Sequence, residues 1–164
     1  MKTISKAELT RMKACKSVLE RFIKQTNNTD DAVLVSDLFD GENTLSDLIW
    51  LARRLCTVDK IKKFARDVAM VNIELIKPYC SDTDYESTIH FMKTGENARA
   101  AFFITRNAVN AATAAHAINA AYTAHAAARA TYVAYAAKSA AVAVEYAMKT
   151  CEFDIKPFLQ ELFS

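Results

Sequence analysis

The chain has 164 residues, 52% of them hydrophobic and 24% charged, with a formal net charge of +2. That length supports one domain with a real core, and that balance excludes a disordered chain. So small a charge argues neither for nucleic acid by itself nor for an acidic DNA mimic, and the lone Gly41 and Gly95 leave no glycine-rich phosphate cradle.

With two glycines and two prolines in all, the chain points to long helices over turn-rich strands. Ser5 and Glu8 form a capping-box pattern that starts a helix at Lys6. Leu9, Met12, Leu19, Phe22 and Ile23 carry its apolar face through Gln25, opposite a basic face with Lys13, Lys16 and Lys24. TNNTDD breaks the pattern. A short helix is predicted from Ala32 to Phe39, capped by Asp30 or Asp31. After the DGENT turn, Thr44 caps LSDLIWLARRL, which buries Leu45, Leu48, Ile49, Leu51, Ala52 and Leu55. The next helix is predicted from Val58 to Lys77, with Ile61, Phe64, Ala65, Val68, Val71, Leu75 and Ile76 inward and Pro78 just past its end. Ser81 and Asp84 repeat the capping pattern for a helix through Met92, with Tyr85, Ile89 and Met92 inward and Gly95 closing it.

From Glu96 to Lys149 the sequence turns alanine-rich, and NAATAAHAINAAYTAHAAARATYVAYAAKSAA is roughly half alanine. No charge occurs between Arg106 and Arg129, a length that could cross a bilayer. Asn107, Asn110, Asn119, His116 and His125 make a span costly, and no aromatic girdle flanks it. Thr113, Thr123 and Thr131 are too unevenly spaced for an ice-binding face. Packing remains: small residues let helices approach closely. One helix over this segment would run about 80 Å, so a break is expected between Asn119 and His125. The result is an antiparallel alanine hairpin. Tyr132, Tyr135, Ser139, Val142 and Tyr146 form a seam of larger side chains on one face, and the earlier helices are expected against that aromatic side. DIKPFLQELF is a last short helix capped by Asp154. The predicted fold is a compact all-α bundle in one domain, 1–164. It comprises amphipathic helices over 1–95, alanine-rich helices over 96–150 and a C-terminal helix over 151–164.

Cys15, Cys56, Cys80 and Cys151 form no C-x-x-C pair. They are read as buried free thiols of a reducing cytosol, with a disulfide or a reactive thiol as the alternative. The N-terminus has no apolar core of a signal peptide. The expected location is therefore cytoplasmic, the host cytoplasm if the gene belongs to a phage.

No cofactor motif, nucleophile–base pair or paired carboxylates appear, and no H-E-x-x-H or E-x-x-H spacing supports a metal. The chain is read as a non-enzyme without cofactor. Two patterns are candidates for partner binding. Arg53, Arg54, Lys60, Lys62, Lys63 and Arg66 form the densest basic cluster, either a phosphate-binding patch or a solvated face around a helix–helix turn. Asn107, Asn110, Thr113, His116, Asn119, Tyr122 and His125 recur every three residues, which spirals around a helix. They are either a polar partner-binding strip or a mixture of exposed and partly buried polar groups.

Four stretches carry a resemblance: ACKSVLERFIKQ, DLIWLARRL, KKFARDVAMVNIELIKPYCSDTDYE and the alanine-rich repeat with interleaved aromatics. In this order they resemble the Imm5-like immunity protein family of bacteria and bacteriophages, over most of the chain. The chain departs from the family pattern at Arg21, where an aromatic is common, and in a tail with Tyr or Phe in place of Trp. The resemblance implies a non-catalytic protein that binds and blocks a toxin or a host defence protein, with no catalytic residues to carry over. A nucleic-acid accessory protein using the basic cluster, or a self-assembling structural protein, are the alternatives. No membrane partner is expected.

Overall fold

The computed structural model describes residues 2–27, 30–132, 136–150 and 152–164. Strand β1 (Thr3–Ile4) leads to helices α1 (Lys6–Arg11) and α2 (Lys16–Gln25). Strand β2 (Val33–Leu34), a 3-10 turn (Val35–Leu38) and α3 (Leu45–Leu55) follow. Then come α4 (Val58–Met70), a 3-10 segment (Ile73–Tyr79) and α5 (Asp82–Thr94). The alanine-rich region forms α6 (Ala98–Ala111), α7 (Ala115–Tyr132) and α8 (Ala136–Thr150), and α9 (Lys156–Phe163) ends the chain. The architecture is all-α, with a small antiparallel ribbon of β1 on β2. The chain divides into two compact units, Met1–Thr57 with Ile155–Ser164, and Val58–Asp154.

In the first unit, Ser5 and Glu8 form the expected reciprocal capping box. The helix it starts does not reach Gln25. It stops at Arg11, Lys13 takes a left-handed φ of 59°, and α2 begins afresh at Lys16. Leu9 and Phe22 are buried as expected, while Met12 is only partly so. The predicted helix over 32–39 is also corrected. Its first residues pair with β1, Thr3 opposite Leu34 and Ile4 opposite Val33, and the rest is a single 3-10 turn. The β-branched Val33 and Ile4 suit a pleated pair, and long-range pairing outweighs the local helical preference. Asn28 and Thr29 of the expected break lie outside the described residues.

Helix α3 keeps its predicted bounds, with Leu48, Ile49, Leu51 and Ala52 buried and Leu45 and Leu55 partly so. Thr44 and Asp47 complete a second capping box. Asp47 also holds Arg21 of α2 in a two-pronged ion pair, Nε to Oδ2 and Nη2 to Oδ1, each 2.8 Å. Arg21 thus clamps α2 to α3. In the turn before α3, the Gln25 amide donates to the Asp37 carbonyl at 2.6 Å and accepts from Asn43. A Cβ on Gly41 would stand 2.0 Å from the Gln25 Cδ, so only glycine lets that amide pass. Helix α9 packs on α3 and on the 3-10 turn, with Phe163 against Phe39 at 6.0 Å. Its N-cap is Ile155 rather than the expected Asp154, and Pro157 sits in its first turn, where the missing N–H costs nothing.

In the second unit, α4 ends at Met70 instead of continuing to Lys77, and Pro78 lies within the 3-10 segment that follows. Ile61, Phe64, Ala65, Val68 and Ile76 are buried as predicted. Val71 and Leu75 are exposed, because the change of helix type turns them outward. Helix α5 closes at Gly95, whose φ is +80° and whose N–H donates to the Phe91 carbonyl at 2.7 Å. A Cβ there would lie 3.0 Å from the Arg66 guanidinium carbon. Gly95→Ala is therefore expected to cost about 1–2 kcal/mol, from the left-handed backbone together with a displaced Arg66. A thermal melt against the wild type checks this; an unchanged midpoint would refute it.

The alanine-rich segment holds the antiparallel hairpin as α7 and α8, with α6 as a further neighbour of α7. The break expected between Asn119 and His125 is corrected, since those residues lie inside α7, which runs from Ala115 to Tyr132. Thr123 does not cap a new helix there. Its hydroxyl donates back to the Asn119 carbonyl at 2.8 Å, a bond that a helix interior accommodates. Helix α7 is buried nearly all round: Ala126, Ala127 and Ala128 are consecutive and all enclosed. It touches α6, α8, α4 and the 3-10 segment, so no single apolar stripe could mark it in sequence. The amphipathic α4 lies on α7 and α8 through their small residues. The expected aromatic docking side is corrected, because, of its members, Tyr132 stays exposed, Val142 and Tyr146 are only half-buried, and the small Ser139 alone is enclosed. Tyr135 of the predicted seam lies outside the described residues. Among the described residues no helix is long and apolar enough to cross a membrane.

Candidate interaction surface

The six basic residues singled out in sequence are divided between the two units. Arg53 and Arg54 close α3 in the first unit, both exposed, with the Arg54 guanidinium 5.4 Å above the Trp50 ring. Lys60, Lys62, Lys63 and Arg66 lie on α4 in the second unit. Lys62 pairs with Asp59 at 3.7 Å and Lys63 with Asp67 at 2.7 Å, each within its own helix. Arg66 is half-buried. Its Nε donates to the Met92 carbonyl at 3.2 Å, so it closes the end of α5 instead of facing a partner. Burial pushes the Arg66 pKa down, against the pull of Asp67 and Asp59.

The polar strip is partly gathered. Asn107 and Asn110 sit in the last turns of α6, and His116 and Asn119 in the first turns of α7, on either side of the 112–114 connection. Asn107, Asn110 and His116 are exposed, and Asn119 is half-buried. Tyr122 leaves this group to stack on Tyr146 of α8 at 4.7 Å. Lys149 lies 4.9 Å over the same Tyr146 ring.

His125 belongs to another cluster. Its ring lies 4.5 Å from Phe102 of α6, and its Nδ1 is 3.4 Å from the Thr105 hydroxyl. That hydroxyl donates its proton to the Ala101 carbonyl at 2.7 Å. Burial pushes the His125 pKa down against a hydrogen bond to the Phe102 backbone that raises it, and the Arg129 and Arg106 charges add to the lowering. The neutral imidazole is the native form at pH 7. Stability from this depressed pKa is fully present above the ordinary value of about 6.5 and falls as pH drops from there through the folded value. The melting temperature should decline on acidification from pH 7 to 5, and His125→Gln should flatten that decline. Parallel wild-type and variant curves would refute the assignment.

Around His125 the structure assembles residues that the sequence reading did not select. Phe102 contacts Phe103 edge-on at 5.4 Å and Tyr132 at 5.6 Å. Phe103 is 46% exposed and Tyr132 44%. Arg99, Arg106 and Arg129 are exposed on the same two helices. A signal for this face exists in the sequence: from position 97 to 144 there is no Asp or Glu, only Arg99, Arg106, Arg129 and Lys138 as charges.

The free thiols Cys15, Cys56 and Cys80 are not buried as expected; Cys15 is exposed and the other two are half-buried. Cys15 begins α2, a position where the turn to helix leaves its side chain outside. The Ser17 hydroxyl, 3.2 Å away, lowers its pKa, while burial raises that of Cys80. Cys151 lies outside the described residues. Among the described residues no group of His, Cys, Asp and Glu is placed to hold a metal ion. Comparison with protein-family models, curated proteins and solved structures returned no match.

Proposed function

We propose that the chain is a non-catalytic binding protein that blocks a protein target, in an immunity or phage counter-defence role. One observation carries this reading. Among the described residues, the large apolar side chains left exposed concentrate in the second unit: Val58, Val71, Leu75, Phe103, Tyr122, Tyr132 and Met148, against Leu34 alone in the first. The reading takes these exposed apolar side chains as area for a partner to cover. The order of motifs that resembles the Imm5-like family supports the same role and suggests a toxin or a bacterial defence component as target.

The test has two stages. Tagged protein is used to capture partners from a bacterial lysate at moderate salt, with nuclease present. The captured protein is then assayed with and without added chain. A stoichiometric loss of its activity is the expected result. A partner whose activity is unchanged, or one released by nuclease, would overturn the blocking role.

A further inference from the structure

We propose that the outer face of α6 and α7 binds single-stranded nucleic acid, with bases stacked on Phe103 and Tyr132 and phosphates held by Arg99, Arg106 and Arg129. This goes beyond the protein-partner reading and does not depend on it.

The arrangement follows from helix spacing. Arg99, Phe102, Phe103 and Arg106 stand at i, i+3, i+4 and i+7 on α6, one stripe of that helix. His125, Arg129 and Tyr132 stand at i, i+4 and i+7 on α7. Phe102 joins the stripes, in contact with both His125 and Tyr132. On α6 the rings stand between two guanidiniums, and on α7 Arg129 stands between two rings, so rings and guanidiniums alternate along the face. Arg99 and Arg106 are about 10 Å apart along the helix axis, a short footprint of a few nucleotides. Phe102 is half-buried and supports its neighbours, which keep close to half their surface in water.

Electrostatics selects the class of ligand. None of the three arginines is ion-paired among the described residues. No carboxylate occurs on either helix to compete with an anion. Guanidinium planes match phosphate oxygens two at a time, and exposed rings accept any base by its π-face. A second copy of this chain is disfavoured, since an isologous contact would set arginine against arginine. An acidic protein would satisfy the charges but gives the exposed rings no matched flat partner. Duplex is disfavoured because its bases are already stacked. Lys62 and Lys63 of the basic cluster lie on a different helix, α4.

The experiment measures fluorescence anisotropy of labelled fifteen-nucleotide oligo(dT) and oligo(U) with the full chain across a salt series. Both strands are expected to bind, more weakly as salt rises. Phe103→Ala should weaken binding roughly tenfold, within the range for loss of one stacked base. Arg99→Ala, Arg106→Ala and Arg129→Ala together should reduce the salt slope by about 2, at roughly 0.7 per phosphate on a single strand. Reversing Arg53, Arg54, Lys62 and Lys63 to Glu should leave that slope difference intact. The substituted side chains are exposed except Lys62, which is half-buried, and far-UV circular dichroism verifies each variant's helicity. Photocrosslinking of a 5-iodouridine strand to the wild-type chain, mapped by mass spectrometry, gives a readout without variants and should mark the peptides of Phe103 or Tyr132. No binding at millimolar protein, equal binding by the α6–α7 variants, or crosslinks confined to other helices would overturn the proposal. So would tighter binding of poly-L-glutamate than of oligo(dT), which would make an acidic protein surface the occupant. Failure here leaves the captured-protein test untouched, because that test runs with nuclease present.

Discussion

Ala127→Leu is expected to destabilise the second unit by about 2–3 kcal/mol, at the upper part of the range for overpacking a closed core. Ala127 has no exposed surface and sits between two other enclosed alanines of α7. Three added heavy atoms there have no space to enter and must push apart the elements packed around α7. The midpoint of thermal unfolding should fall by several degrees, given roughly 2–4 °C per kcal/mol for a chain of this size. Ala115→Leu, at the exposed start of the same helix, is the control and should leave the midpoint nearly unchanged. Equal midpoints for both variants would show that close helix approach is not what the alanines provide. Ala137→Leu, where the alanine retains 7% exposure, should fall between the two.

Asp47→Ala should destabilise the first unit by about 2–4 kcal/mol. The carboxylate serves two structures at once. It accepts from the Thr44 backbone N–H at 2.8 Å, closing the α3 capping box, and it holds both prongs of the Arg21 guanidinium. Loss of a cap costs about 1 kcal/mol, and each hydrogen bond to a charged group about 1.5–3 kcal/mol before rehydration of the partner is allowed for. Arg21 is partly exposed, so water recovers some of that loss. Burial by itself would push the Asp47 carboxyl up, but the Arg21 and Thr44 bonds outweigh it and hold its pKa below the usual carboxylate value. A depressed folded pKa means the stabilisation is complete above about pH 4 and is lost as pH falls through the folded value. The wild type should lose stability more steeply than Asp47→Ala below pH 4. If the two acid-unfolding curves run parallel, the pair contributes nothing net.

Where a helix announces itself with a side-chain signal, sequence reading located it closely. Ser5 with Glu8, Thr44 with Asp47, Ser81 and Gly95 each place an end where the chain has one. The errors share a different cause. The break at Lys13 and the end of α4 at Met70 carry no Gly, Pro or cap, and periodicity runs straight through both. The β1–β2 ribbon depends on a partner thirty residues away, which no local window contains. The joint expected at Asn119–His125 rests on polar residues, yet in α7 Thr123 bonds back within the helix and His125 faces Thr105 of α6.

The candidate site was less legible than the fold. Lysines and arginines adjacent in sequence drew attention at positions 53–66, but several spend their charge on Asp59, Asp67 and the end of α5. Arg99, Arg106 and Arg129 are scattered among alanines and become neighbours only when α6 lies against α7. What did mark them in the sequence was the missing acid, since charges without counter-charges cannot be neutralised locally.

Alanine has no side-chain torsion to freeze, so the enclosed residues of α7 and α8 reach their native state without losing rotamer freedom. The same property denies them any way to repack afterwards. A partner approaching α6 and α7 meets helices whose enclosed alanines offer no side chain to rearrange, and accommodation has to come from the long arginines at the surface and from the partner itself. Recognition by this unit should then proceed by rigid docking, with the free and bound chains superposing closely in α6–α8.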